Sequence, residues 1–221
     1  MTEKVQRLLH TLERRVGRRR RPPPTDVLSQ MMEVVVIHMA GERAAKVVLR
    51  EFRENFVDWN EVRVARRMEI TRATNGIAEG SAVGERIQSL LSAIYTDRGN
   101  MNLDALVGRS TVEIRQFLQS LEPLGKELVP VVMLQAMQQS IMPIGDRILR
   151  LHKRFNIVPG STTQGQLRRY IESIFEGEEI YRYYHAVRRL AGRVCLGENP
   201  NCKQCTVEGH CRVVAETGRK K

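Results

Sequence analysis

Apolar residues recur three and four positions apart along most of this chain, the spacing that places them on one face of an α-helix. The first such face lies within residues 5–12 and consists of Val5, Leu8, Leu9 and Leu12. Residues 27–39 form a second predicted helix that is apolar on nearly every side, so we expect it to be central. Thr25 or Asp26 is predicted to cap its N-terminus.

The same periodicity predicts further helices at residues 42–56, 60–71, 84–95, 112–120 and 147–155. Strand-like alternation of apolar and polar residues is scarce, so the predicted fold class is all-α. A run of arginines followed by prolines at positions 22–24 separates the first two helices. The prolines are predicted to end the helix. The arginines are read either as a solvated helix end or as a segment lying along a phosphate backbone.

The chain has four cysteines, and all of them lie near its C-terminus: Cys195, Cys202, Cys205 and Cys211. Four thiolates in one short segment match the soft donor set of a metal ion or an iron–sulfur cluster. Two disulfides are the alternative, and they are disfavoured because the charged N-terminal residues do not form a signal sequence. Structural zinc sites usually consist of two close cysteine pairs. Here only Cys202 and Cys205 form such a pair, so the spacing C-x6-C-x2-C-x5-C favours a 4Fe-4S cluster.

The cysteine spacing also matches, gap for gap, the cluster loop of the endonuclease III family. The segment Cys195-Leu-Gly-Glu-Asn-Pro-Asn-Cys202-Lys-Gln-Cys205 carries this resemblance most specifically. On this basis the chain resembles an endonuclease III-like member of the helix-hairpin-helix (HhH-GPD) superfamily of DNA glycosylases, with a divergent hairpin. The resemblance implies a six-helix barrel at residues 25–134 that ends in the hairpin. It also implies a second helical domain, residues 1–24 and 135–221, that bears the cluster loop.

Asp146 is the candidate catalytic residue. It follows Ile144 and Gly145 at the predicted start of a helix, and by position alone it is an ordinary capping aspartate. In the resembling enzymes an aspartate at this place activates the nucleophile or stabilises the positive charge that develops on the deoxyribose. The neighbouring Arg147 and Arg150 are read as DNA contacts.

The hairpin departs from the family motif L-P-G-V-G-x-K-T-A, with which residues 121–129 align. Gly125 keeps the last glycine, whereas Pro123 replaces the first and has no N–H to offer a phosphate. Bifunctional members carry a lysine where this chain has Glu127, and a carboxylate cannot form the Schiff base of lyase chemistry. Lys126 is predicted to point about 100° away around a helix. The resemblance therefore implies base release without strand cleavage, with Gly125 and Lys126 as DNA contacts.

Two further residues are candidate DNA contacts. His38 occupies the place of the family's glutamine that enters the gap left by a flipped nucleotide, although a lone histidine at a helix end is more often structural. Lys203 lies in the cysteine loop, where its ammonium group is available to a phosphate.

Charge agrees with a nucleic-acid partner. Lysine and arginine number 36 against 25 acidic residues, which gives a formal charge of +11 and a sequence pI near 10.0. Such an excess favours polyanions such as double-stranded DNA. No apolar run is long enough to span a bilayer, so we expect a soluble, cytoplasmic, nucleoid-associated monomer.

Two functions from different classes follow. The first is a monofunctional DNA N-glycosylase of base-excision repair that removes a damaged or mismatched base through Asp146. The second is a catalytically weak or inactive paralogue that keeps the cluster and the basic surface and recognises distorted DNA. Glu127 and the altered hairpin favour the second function, whereas an aspartate retained at a helix start favours the first.

Overall fold

The computed structural model describes residues 2–22, 26–207 and 211, and these residues fold into two compact helical units. One unit comprises Met1–Pro22 with Ser140–Lys221, and the other comprises Pro23–Gln139. The described residues contain no β-strand, so the all-α prediction is confirmed. None of the described helices is both long enough and apolar enough to cross a bilayer.

The helices of the unit Pro23–Gln139 are α2 Val27–Ala40, α3 Glu42–Asn55, α4 Trp59–Val64, α5 Arg67–Thr74, α6 Gly80–Arg98, α7 Thr111–Ser120 and α8 Val129–Gln135. Helix α2 packs against α3, α6 and α8, and its apolar residues are buried from Val27 to Val36. Its predicted central position is therefore confirmed. Asp26 caps it by accepting a hydrogen bond from Ser29 N at 3.0 Å, whereas Thr25 lies outside the described residues.

The single helix predicted at residues 60–71 is wrong, because α4 ends at Val64 and α5 begins at Arg67. Ala65 is extended, with φ −60° and ψ 148°, and it ends the first helix. The amide of Gln88 donates to the carbonyls of Val62 and Ala65 at 3.1 and 2.9 Å. A side chain from α6 thus satisfies carbonyl groups that continued helix would have used, and it stabilises the break.

Two glycines allow α6 to lie directly against α5. A Cβ atom on Gly80 would lie 2.1 Å from the carbonyl oxygen of Thr74, and one on Gly84 would lie 2.4 Å from the Cγ2 atom of Ile70. Helix α6 therefore begins four residues before the predicted start, at a position that a larger residue could not occupy without displacing the backbone.

The helices of the other unit are α1 Thr2–Val16, α9 Asp146–Arg154, α10 Gln164–Glu172 and α11 Gly177–Arg193. Helices α1 and α9 both pack against α11. The predicted apolar face of α1, from Val5 to Leu12, is buried, so that prediction is confirmed. The arginine run continues beyond the end of α1, and Arg21 donates to Gly177 O at 3.1 Å.

A neutral hydrogen-bonded pair lies in the core of this unit. The side chains of His152 and Tyr183 are fully buried, and Nε2 of His152 lies 2.7 Å from the hydroxyl oxygen of Tyr183. Nδ1 of His152 lies 2.7 Å from Ile148 O. Burial lowers the pKa of His152 to about 4, despite the opposing effect of the Ile148 carbonyl, so the imidazole is neutral at pH 7.

Candidate active site and thiol loop

Asp146 is the first residue of α9 and is exposed. The N-cap position belongs to Gly145, and no side chain makes a cap hydrogen bond at this helix end. The Oδ1 atom of Asp146 instead accepts a hydrogen bond from Nε2 of Gln164 at 2.8 Å. The carboxylate is therefore oriented by a side chain from another helix and is not used as a cap.

Gln164 owes its position to a capping box at the start of α10. Thr163 Oγ1 accepts from Gln166 N at 3.2 Å, and Gln166 Oε1 accepts from Thr163 N at 2.8 Å. This reciprocal pair fixes the first turn of α10, and Gln164 begins that turn. Gln164 is not among the residues predicted from the sequence. The T-x-x-Q signature predicts the helix start but not the residue that its side chain contacts.

One face of α9 connects Asp146 with the cysteine loop. Arg150 and Arg154 follow Asp146 at intervals of four residues, so the three side chains share this face. Nη2 of Arg150 donates to Cys195 O at 3.1 Å. Arg154 donates to the carbonyls of Leu196 and Gly197, both at 2.6 Å. Two arginines of α9 thus hold the start of the loop, and the DNA contact expected of Arg150 stays a prediction.

The four cysteines carry free thiols; Cys195 is buried and the other three are partly exposed. The pKa of the Cys205 thiol is raised, first by burial and then by the charges of Cys195, Cys211 and Cys202. Nη1 of Arg154 donates to Cys195 Sγ at 3.3 Å. Soft sulfur donors with a charged hydrogen-bond donor beside them fit the chemistry of an iron–sulfur cluster. Across residues 2–22, 26–207 and 211, however, no group of three or more Cys, His, Asp or Glu side chains is arranged to hold a metal ion.

A helix–turn–helix connection occupies residues 111–135. Helix α7 ends at Ser120, residues Glu122–Leu124 form a 3-10 turn, and α8 begins at Val129. Gly125 has φ +79° and ψ 138°, which falls in the region that favours glycine. Pro123, which replaces the first glycine of the family motif, is thus accommodated within the 3-10 turn. Gly125 is retained where the backbone has a positive φ.

Lys126 and Glu127 lie in the turn before α8, so the expectation that Lys126 points away around a helix is wrong. Pro130 stands near the start of α8, where proline is favoured because the first helical N–H groups have no partner. The helix therefore begins after both residues. The side chains of Lys126 and Glu127 are exposed in the turn.

The carboxylate of Glu127 lies between two basic side chains. Its Oε1 atom is 3.7 Å from Nη2 of Arg86 and 3.9 Å from Nε2 of His38, which lies in the last turn of α2. Arg86 also donates from Nε to Pro123 O at 2.9 Å and from Nη2 to Leu124 O at 2.8 Å. Arg86 is not among the residues predicted from the sequence, because its partners lie more than thirty residues further along the chain and no local motif identifies it.

The predicted site residues fall into two groups. The unit Pro23–Gln139 brings together His38, Gly125 and Glu127, with Lys126 beside them. The other unit contains Asp146, Arg147, Arg150, the four cysteines and Lys203. Arg147 and Lys203 are exposed.

Comparison with known proteins identifies several relatives, although no family model matches the chain. The DNA glycosylase/AP lyase ROS1 of Arabidopsis thaliana is 23% identical over 71% of this chain, which is 12% of the plant protein. Protein ROS1C of rice is 23% identical over 72% of this chain and 10% of its own length. Endonuclease III of Sulfolobus acidocaldarius is 22% identical over half of each chain. The matched part of this chain thus spans about a tenth of the length of ROS1 and ROS1C.

Solved structures share the fold over nearly the whole chain. A non-covalent endonuclease III–DNA complex matches with a TM-score of 0.74 at 16% identity, covering 100% of this chain and 99% of that one. A thermostable thymine-DNA glycosylase matches with a TM-score of 0.70 at 15% identity, covering 97% and 98% of the two chains. The fold expected from the cysteine loop and the helical pattern is therefore confirmed.

Proposed function

We propose that the chain is an endonuclease III-like member of the helix-hairpin-helix superfamily of DNA glycosylases and that it acts as a DNA N-glycosylase of base-excision repair. The observation that carries the proposal is the carboxylate of Asp146. It is exposed at the first residue of α9, is not used as a cap, and is held by Gln164 at 2.8 Å. A carboxylate that is oriented but still open to solvent remains available to a substrate.

Asp146 would act on the sugar. When an N-glycosidic bond breaks, positive charge develops on the deoxyribose, and an anion fixed beside it lowers the energy of the transition state. The same carboxylate is also able to accept a proton from an attacking water. The amide of Gln164 supplies the orientation on which both roles depend.

We further propose that the protein releases the base without cleaving the strand. Glu127 stands at the position of the lyase lysine, and a carboxylate forms no imine with C1′. Lys126 is exposed in the same turn, so its amine is the first alternative nucleophile to test. ROS1 is named as a DNA glycosylase/AP lyase, and the presence of Glu127 is the reason to expect this chain to differ from it.

Double-stranded DNA is the proposed partner, and the hairpin is one contact with its backbone. Among the described residues, the N–H groups of Lys126 and Glu127 donate to no acceptor within the protein. Two consecutive N–H groups that follow a glycine with positive φ suit an anionic oxygen. The formal charge of +11 adds a salt-dependent attraction for the whole phosphate backbone. We expect the protein to act as a monomer, because one chain carries all the candidate residues.

We propose that Cys195, Cys202, Cys205 and Cys211 hold a 4Fe-4S cluster. The support is their spacing, their free thiols and the charged donor that Arg154 directs at Cys195 Sγ. When bound, such a cluster would cross-link the loop and hold it in a fixed shape. Lys203 would then be presented to a phosphate from a fixed loop.

The second candidate function is a DNA-binding paralogue with little or no catalysis. Two observations favour it: Glu127 replaces the lyase lysine, and Pro123 removes one N–H group from the hairpin. Such a protein would recognise distorted duplexes and release no base.

A lesion panel distinguishes the two functions. Purified protein is incubated with duplexes containing uracil, thymine glycol, alkylated purines or mismatches, and alkali then converts abasic sites to breaks. We expect lesion-dependent breaks that Asp146→Asn abolishes without weakening DNA binding. Asp97→Asn is the matched control, because it removes the same charge from an exposed position on α6.

The two candidate functions predict different results in this assay. Tight binding with no base release from any lesion favours the second function. Base release that survives in Asp146→Asn would refute the proposed catalytic role. Borohydride should trap no covalent adduct, and a trapped adduct would show lyase chemistry from Lys126 or another amine.

A further inference from the structure

The hairpin contains an electrostatic conflict. Its candidate phosphate-binding groups are the N–H groups of Lys126 and Glu127, yet the second of these residues carries a carboxylate. The Glu127 side chain is 56% exposed, so a phosphate that approached the turn would also approach this negative charge. Like charges at such short range oppose binding. An acidic hairpin that binds DNA therefore needs a feature that offsets Glu127.

Arg86 lies against this turn and contacts three of its groups. Its guanidinium donates to Pro123 O at 2.9 Å and to Leu124 O at 2.8 Å, and Nη2 lies 3.7 Å from the Glu127 carboxylate. The Arg86 side chain is only 27% exposed, so water screens these contacts less than it screens a surface ion pair. A planar guanidinium is suited to this work, because its N–H groups point in several fixed directions at once.

Gly125 shows how closely the three groups pack. A Cβ atom at this residue would lie 2.6 Å from Oε1 of Glu127 and 2.9 Å from Nη2 of Arg86. The carboxylate is therefore folded back over the glycine, beside the guanidinium. His38 approaches the same oxygen at 3.9 Å from the end of α2.

We infer that Arg86 is a positioning residue that allows an acidic hairpin to bind a DNA phosphate. It has two effects: it fixes the 3-10 turn through two carbonyls, and it holds and neutralises the Glu127 carboxylate. This inference rests on the proposed binding of duplex DNA. It adds that duplex binding requires Arg86, a residue of α6 that does not itself contact the phosphate.

The test compares the duplex affinity of four variants. Arg86→Gln removes both effects, Glu127→Gln removes the carboxylate charge, and the double variant removes both charges. Arg67→Gln is the matched control, because Arg67 pairs with Glu85 at 2.7 Å in the same unit but is 79% exposed and, among the described residues, makes no hydrogen bond or ion pair with the hairpin. The probe is a duplex with a stable abasic analogue, and dissociation constants are measured at fixed salt.

We expect Arg86→Gln to weaken binding about tenfold, whereas Arg67→Gln changes it less than about threefold. Glu127→Gln alone should bind as tightly as the wild type or more tightly. The double variant should recover part of the affinity that Arg86→Gln loses, because the unopposed carboxylate is gone. If Arg86→Gln behaves like Arg67→Gln, or if the double variant is as weak as Arg86→Gln, the inference is overturned.

Two further measurements test the role of Arg86. If Arg86→Gln does not fold, Arg86→Lys replaces it with Arg67→Lys as its control. A lysine keeps the charge but cannot bond to both carbonyls, so a loss of affinity at position 86 alone supports the inference and equal affinity refutes it. If the wild type binds no duplex, the proposed function fails. Hydrogen exchange at the amides of Leu124, Gly125 and Leu128 then tests whether Arg86 fixes the turn. Faster exchange in the Arg86 variant than in its control supports that role, and equal exchange overturns it.

Discussion

At the scale of single residues, the amide of Gln164 orients the proposed catalytic carboxylate. Gln164→Leu should slow base release several-fold under single-turnover conditions, because Asp146 then samples orientations that do not face the sugar. The affinity for duplex DNA should remain unchanged, since the amide itself makes no DNA contact in this proposal. Gln116→Leu makes the same chemical change at an exposed position on α7 and serves as the control. Equal rates for the two variants would show that Gln164 has no positioning role.

The buried His152 makes folding stability depend on pH. Its pKa in the folded protein is about 4, whereas the ordinary value is 6.5. Between these values the unfolded chain binds the proton and the folded protein does not, so the free energy of unfolding should fall as pH drops from about 6.5 to about 4.

Urea unfolding of His152→Gln at pH 7 and at pH 5 tests this dependence. The variant should be less stable than the wild type at pH 7, because its amide fills the buried site less well, but it should lose less stability between the two pH values. Part of the dependence should remain, because burial lowers the pKa of His185 to about 3, with added effects from Arg19, Arg188 and Arg21. An unchanged dependence in the variant would contradict the role given to His152.

The sequence predicted several candidate residues but not their partners. Asp146 and Glu127 were identified because each occupies a fixed place in a short motif. Gln164 and Arg86 were missed, since each reaches its partner across 18 or 37 residues of chain. Local spacing carries no information about which side chains meet after helices pack. The roles of His38, Arg147 and Lys203 stay predictions.

At the scale of elements, the turn between α7 and α8 depends on Gly125. Alanine there would have an unfavourable positive φ, and its Cβ would contact the Glu127 carboxylate and the Arg86 guanidinium at less than 3 Å. Gly125→Ala should therefore lower the melting temperature and weaken duplex binding together.

Gly192→Ala is the corresponding control. Gly192 lies within α11, and nothing occupies the space around its added Cβ within 4 Å. Alanine there should be neutral or should stabilise the helix by up to about 1 kcal/mol. If the two alanine variants melted at the same temperature, the strain assigned to the turn at Gly125 would be wrong.

Helical periodicity predicted the bounds of α2, α3, α7 and α9 to within two residues, whereas α8, α10 and α11 were not predicted. Two of the bounds that it predicted wrongly depend on contacts with distant residues. The break between α4 and α5 depends on Gln88, which bonds to carbonyls more than twenty residues earlier in the chain. The early start of α6 depends on close contact between Gly80 and α5. Both features arise from packing between helices, which the pattern of a single helix does not contain.

At the scale of the whole molecule, the thiol loop determines whether the protein is a metalloprotein. Protein prepared without oxygen should contain iron and acid-labile sulfide and be brown, and Cys205→Ser should lose most of the iron because one of four ligands is gone. The readout is metal and sulfide content, which does not depend on activity. Colourless protein with zinc as its only metal would contradict the cluster while leaving the four-thiolate site in place.

The all-α fold and its likeness to endonuclease III could be predicted from the sequence, because helical periodicity and a cysteine loop with unusual spacing are both local signals. The assignment of a barrel domain and a cluster domain stays a prediction. Base specificity depends on the shape of a pocket built from side chains that are distant in sequence, and neither spacing nor charge encodes that shape.

Helix α9 connects the proposed catalytic carboxylate with the thiol loop. Its first residue is Asp146, and its last is Arg154, which holds the backbone of the thiol loop about 12 Å along the helix axis. A helix is stiff over that length. If the proposed cluster fixes the thiol loop, we expect its loss to disturb the proposed catalytic carboxylate at the other end of α9, so that iron-depleted protein binds a duplex but does not process it.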